Sequence, residues 1–124
     1  MKRIRIKQTT DSPSLIIDGE VGLIRIAGKA IAHDPFKVYE KLEKEISEYC
    51  LDPHRFSTVT IRLITLSSSA SKWLYHLLKE IEKINSIKTF VMINWIYDKE
   101  NDLMLETGED FQQVINLPFK LIAA

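Results

Sequence analysis

The chain has 124 residues, of which 45% are hydrophobic and 27% charged. That is the size of one ordinary domain spanning 1–124, with enough apolar material for a core without disulfides or a metal. Its 17 basic and 17 acidic side chains cancel, so it lacks the overall basic excess on which nucleic-acid binding usually rests.

The basic run Lys2-Arg3-Ile4-Arg5-Ile6-Lys7 alternates with isoleucine, and Ile4 to Gln8 reads as a strand with one wet face. Residues 9–14 form a turn-rich connection. Leu15 to Asp18 and Leu23 to Ala27 then read as a β-hairpin around Gly19-Glu20-Val21-Gly22, with Gly28 ending it. Asp34 is a candidate N-cap and Pro35 suits a first helical position. Val38, Leu42, Ile46, Tyr49 and Cys50 recur at helical spacing, and Asp52-Pro53 stops that helix. Thr58 to Ile64 is β-branched and strand-like. After the run Ser67-Ser68-Ser69-Ala70-Ser71, a second helix carries Leu74, Leu77, Leu78, Ile81 and Ile84 on its buried stripe. The continuous apolar run Phe90-Val91-Met92-Ile93 predicts a strand over 87–95 covered on both faces. Tyr97 to Asn101 reads as a turn, 102–114 as a third helix weakened by Gly108, and Leu117 to Ile122 as a last strand. The pattern predicts an α/β fold with a mixed β-sheet of about five to six strands and about three helices, its central βαβ unit right-handed.

No catalytic constellation stands out. His33, His54 and His76 fall at a helix start, in a turn and on a wet helix face, each without an evident partner. The single cysteine, Cys50, lies on the apolar stripe and reads as a small core hydrophobe. No metal-ligand spacing, cofactor loop or long apolar stretch is present, so no metal, cofactor or membrane partner is expected, and the reducing cytoplasm is the default compartment. The acidic groups from Asp98 to Asp110 read as a solvated loop and helix face; a small enzyme, or a small ligand- or metal-binding protein, using them is the alternative from another class.

The serine run between a strand and a helix reads first as a capped loop. The same position also suits a phosphate, because helix N-termini offer free N–H groups and a favourable dipole, and Lys72 lies one turn in.

Several blocks together resemble the SiaC family of bacterial regulatory phosphoproteins, over almost the whole chain. They are Ser12-Pro13-Ser14-Leu15-Ile16-Ile17-Asp18, Ile24-Arg25-Ile26-Ala27-Gly28, Ser67-Ser68-Ser69-Ala70-Ser71-Lys72, Trp95-Ile96-Tyr97-Asp98, Met104-Leu105-Glu106-Thr107-Gly108-Glu109-Asp110-Phe111 and Leu117-Pro118-Phe119. The resemblance implies a STAS-like fold, similar to that of anti-sigma-factor antagonists. It also implies a non-catalytic role. In the family, a threonine of the serine-rich block is phosphorylated by a dedicated Ser/Thr kinase and dephosphorylated by a PP2C-type phosphatase, and the unmodified protein activates a diguanylate cyclase. By position that threonine is Ser68, with Ser69 and Ser67 as alternatives. Ser67, Ser69, Ser71 and Lys72 are then expected to support the phosphate or touch a partner. Ala30, Ile31, His33, Asp34, Tyr97 and Asp98 form a possible partner surface. The stretch Gly28-Lys29-Ala30-Ile31-Ala32-His33-Asp34 departs from the family pattern. That leaves open an anti-sigma-type kinase as partner, and monomer and homodimer as assemblies.

Overall fold

The structure is a computed structural model that describes residues 3–124; Lys2 of the basic run lies outside them. In chain order the elements are β1 (Arg3–Ile6), β2 (Ser14–Asp18), β3 (Leu23–Ala30), α1 (Pro35–Val38), α2 (Glu40–Leu51), β4 (Phe56–Leu66), α3 (Ser68–Glu82), β5 (Phe90–Tyr97), α4 (Asp102–Val114) and β6 (Phe119–Ala123). The strands form one mixed sheet in the order β1-β2-β3-β4-β5-β6. The first three pair antiparallel and the last four pair parallel. Because β3 to β6 advance one place at a time, crossovers of one hand put every helix on the same face.

That face is the core. Ile24 and Ile26 of β3, Val59 and Ile61 of β4, and Val91, Ile93 and Trp95 of β5 meet Leu74, Leu78 and Ile81 of α3. The alternate residues Arg25, Thr60, Arg62, Met92 and Asn94 point the other way and are exposed or half-buried. The expectation of a β5 strand covered on both faces is therefore wrong. Its run is apolar on both sides, yet only Val91, Ile93 and Trp95 are covered.

The first predicted helix is two. Asp34 makes no side-chain cap, and the chain breaks at Tyr39 between α1 and α2. Tyr39, absent from the predicted stripe, is fully buried, whereas Val38 is exposed. Its ring meets Trp73 edge-on at 4.4 Å and its hydroxyl donates to Asp11 O at 2.8 Å while accepting from Ala32 N at 3.3 Å. Those contacts hold the break. Strand β3 also runs past Gly28 to Ala30, through a register shift at Gly28/Lys29.

Two glycines are dictated by space. Gly22 has φ +72° and packs against Phe56 O at the hairpin turn. In α4, a Cβ on Gly108 would lie 2.6 Å from the Trp95 ring and 2.8 Å from Leu121 Cδ2, so the residue that weakens the helix is what lets it lie on β5 and β6.

Candidate functional site

All parallel strands end at one edge of the sheet, where α1, α3 and α4 begin. Loops at the carboxyl ends of parallel strands are where α/β proteins place their binding residues. Strand β4 delivers the chain into Ser67, the N-cap of α3. The Ser67 hydroxyl accepts from Ala70 N at 3.1 Å, its carbonyl accepts from Ser71 N at 2.8 Å, and its amide donates to Ala30 O at 2.9 Å. Ser67 is thus the fixed corner of the site, tied to both β3 and α3.

Ser68 is the first residue inside the helix. It is exposed, and its hydroxyl makes no hydrogen bond among the described residues. The amides of Ser68 and Ser69 likewise find no acceptor there, as the first turn of a helix leaves them. Ser69 and Ser71 are half-buried, and Lys72 is exposed and forms no ion pair among the described residues. A free hydroxyl, two free N–H groups and an unpaired cation therefore meet within one turn. An anion there is favoured by the dipole and by Lys72.

Ser68 also stands at the head of a groove of about 490 Å³ between α3 and α4. Ser68, Ser71, Lys72, Tyr75 and His76 line one wall, and Thr107, Asp110, Phe111 and Val114 the other. Aromatic and apolar groups surround it. His76 packs on Phe36 of α1 at 5.8 Å and on Tyr75 at 5.7 Å. Phe36, Tyr75, Leu103 and Val114 are all exposed large hydrophobics. Apolar side chains grouped in this way make this edge a candidate binding surface.

The predicted partner surface is gathered only in part. Ile31, His33 and Asp34 are exposed beyond β3, and Asp98 beyond β5, at the same edge as Ser68. Ala30 is not available: it ends β3, fully buried, and contributes only its carbonyl to Ser67. Tyr97 belongs to β5 and is half-buried, and Asp98 is held by Arg62 at 2.9 Å. His54 is structural, its Nδ1 accepting from Phe56 N at 3.1 Å. Burial pushes the half-buried Cys50 thiol up to about 11, with Glu80 adding to the effect, so it stays protonated at neutral pH. Among the described residues no group of three or more His, Cys, Asp or Glu is placed to hold a metal ion, and no helix is long and apolar enough to cross a membrane.

The groove itself was not anticipated. Its signals are in the sequence. On α4, Leu103, Thr107, Asp110 and Val114 recur at helical spacing as a second stripe beside the buried Met104, Gly108 and Phe111. On α3, Tyr75 and His76 put two rings on the side facing away from the leucines.

Fold and site together define a class: a small α/β protein that offers a serine-capped helix and an adjoining apolar groove at the carboxyl edge of its sheet. Residues 6–124 match the model of the SiaC family regulatory phosphoproteins, and the chain belongs to that family. An uncharacterised protein of Pseudomonas aeruginosa (strain UCBPP-PA14) is 22% identical over 123 residues, which cover 99% of this chain and 98% of that one. The solved structure of apo-SiaC from Pseudomonas aeruginosa aligns with a TM-score of 0.85 at 22% identity, covering 99% of this chain and 100% of that one. SiaC in a crystal structure of the diguanylate cyclase SiaD with its activator SiaC, from the same organism, aligns at 0.85 and 21% identity over 98% and 99% of the two chains. These likenesses establish the fold.

Proposed function

We propose that this chain is a cytoplasmic, non-catalytic switch protein whose docking to a diguanylate cyclase is controlled by phosphorylation of Ser68. One observation carries the reading: among the described residues the Ser68 hydroxyl is exposed and unbonded at the head of the α3/α4 groove, beside free amides and unpaired Lys72. A SiaC structure in complex with a cyclase supports the choice of partner. A phosphoserine brings roughly −1.5 to −2 charges. Drawn to the helix start and Lys72, it occupies the mouth of a groove that also holds Asp110, and a partner docking there meets desolvation and like-charge repulsion. A Ser/Thr kinase writes the mark and a PP2C-type phosphatase removes it.

The test is intact-mass measurement after incubation with the cognate kinase, followed by cyclase binding to both forms. Wild type gains one phosphate and loses binding, and Ser68→Ala gains none and keeps binding. Equal modification of Ser68→Ala moves the assignment to Ser69, Ser67 or Ser71; unchanged binding by the phosphorylated protein ends the switch reading.

A further inference from the structure

The face of the sheet opposite the helices is bare. Parallel sheets occur almost only with both faces covered, yet the parallel strands β3 to β6 carry helices on one side alone. Among the described residues the bare side is basic: it presents Arg3, Arg5, Arg25, Arg62 and Lys120 against Asp18, with Asp98 reaching Arg62 from its edge. With a formal net charge of zero over the chain, the acids lie elsewhere, notably on α2 and α4. Arg62 pairs with Asp98; Arg5, Arg25 and Lys120 form no ion pair among the described residues.

The ladder register puts those three unpaired cations in a single row. Arg5 pairs with Ile16, Ile16 with Arg25, Arg25 with Thr60, Thr60 with Asn94 and Asn94 with Lys120. At the usual strand spacing, Arg5 and Arg25 are about 10 Å apart and Arg25 and Lys120 about 14 Å. Between and beside them lie half-buried apolar residues, Ile16, Leu23, Met92 and Ile96.

We infer that this bare face is a second docking surface, which takes an acidic amphipathic helix of a protein partner. Carboxylates seven residues apart on a helix share one face and sit about 10.5 Å apart, which matches the Arg5–Arg25 step. Apolar residues at the border of that acidic face cover Ile16, Leu23 and Met92. A nucleic-acid strand fits less well, because the row between these cations holds Ile16, Thr60 and Asn94 and no aromatic side chain on which a base could stack. Arg62 with Asp98, at 2.9 Å, shows that a carboxylate within reach of this face is captured. The surface lies on the opposite side of the sheet from the helices, so its occupancy does not depend on phosphorylation of Ser68, and it stands whether or not the switch reading holds.

The experiment uses the full chain and a synthetic amphipathic helical peptide with glutamates seven residues apart. Fluorescence anisotropy gives affinity, and amide NMR shifts locate the peptide. Shifts at Ile16, Arg25, Thr60, Asn94 and Lys120 are expected. Arg25→Glu/Lys120→Glu, and separately Arg5→Glu, weaken binding by about tenfold or more. Ser68→Glu and the α2 control Lys41→Glu/Lys44→Glu leave it unchanged. Each exposed substitution is checked by thermal unfolding. Equal affinity in Arg25→Glu/Lys120→Glu, shifts confined to the helices, or tighter binding of a single-stranded oligonucleotide or of phosphatidylserine vesicles to the same row overturns the inference.

Discussion

At the start of α3 two adjacent serines divide the work. The Ser67 hydroxyl is committed to the Ala70 amide, while the Ser68 hydroxyl is exposed and unbonded. An N-cap serine is worth about 1 kcal/mol relative to alanine. Ser67→Ala should therefore lower the melting temperature by about 3–6 °C in a chain of this size, and still leave Ser68 open to modification. Ser68→Ala should do the reverse, with little change in stability and no phosphate. Thermal unfolding and intact mass of the two variants separate the roles; a Ser67→Ala protein as stable as wild type would show that the cap is not holding the helix. The sequence allowed both readings of this run, because cap and phosphate site call for the same residue types at a helix start. What separates them is whether a hydroxyl is already bonded, and that is a property of geometry.

Helix α4 shows how a local preference yields to packing. Glycine inside a helix costs about 1 kcal/mol relative to alanine, so Gly108→Ala considered alone is a stabilising change. The Trp95 ring would then lie 2.6 Å from the new Cβ. The indole has nowhere to go. Its Nε1 donates to Met104 O at 3.0 Å, and Phe111 and Phe119 pack on it at 5.5 and 6.1 Å. Overpacking costs about 1–3 kcal/mol, so the net effect is a loss of stability of up to about 2 kcal/mol. Denaturant unfolding checks it, and a gain of stability would mean that α4 can lift from the sheet. Elements of this kind were legible. The bounds of α4 match its 102–114 pattern, and the stripe Leu74, Leu77, Leu78 and Ile81 is buried as its spacing implies. The first helix was not, because periodicity cannot see the ring of Tyr39 turning into the core and breaking the chain between α1 and α2. The outer face of β5 failed for a similar reason: Met92 and Ile96 are apolar, and no sequence pattern says whether a second layer exists to cover them.

Across the molecule, the sheet separates two unlike surfaces. The helix side holds the core, the Ser68 corner and the α3/α4 groove, and the bare side holds the basic row. The Ser68 corner was legible because a strand, a hydroxyl run and an amphipathic helix follow one another directly. The groove was not, since its walls come from segments more than thirty residues apart that meet only through the β5 crossover. This arrangement makes a definite statement about what a phosphate does. Ser68 is exposed and its hydroxyl makes no hydrogen bond among the described residues, so phosphorylation has no buried side chain to displace. It adds charge where the helix dipole and Lys72 favour it, worth typically about 0.3–1 kcal/mol at an exposed helix end. Phosphorylated and unmodified protein should therefore share one fold, with the modified form equal or slightly higher in melting temperature. Hydrogen exchange should slow only across the first turns of α3 and stay constant in β3, β4 and β5. Lys72→Ala should remove part of that local protection while leaving the sheet untouched. Slowed or accelerated exchange spreading through the strands would instead mean that the phosphate acts by remodelling the fold, and that the groove closes by a conformational change and not by charge placed at its mouth.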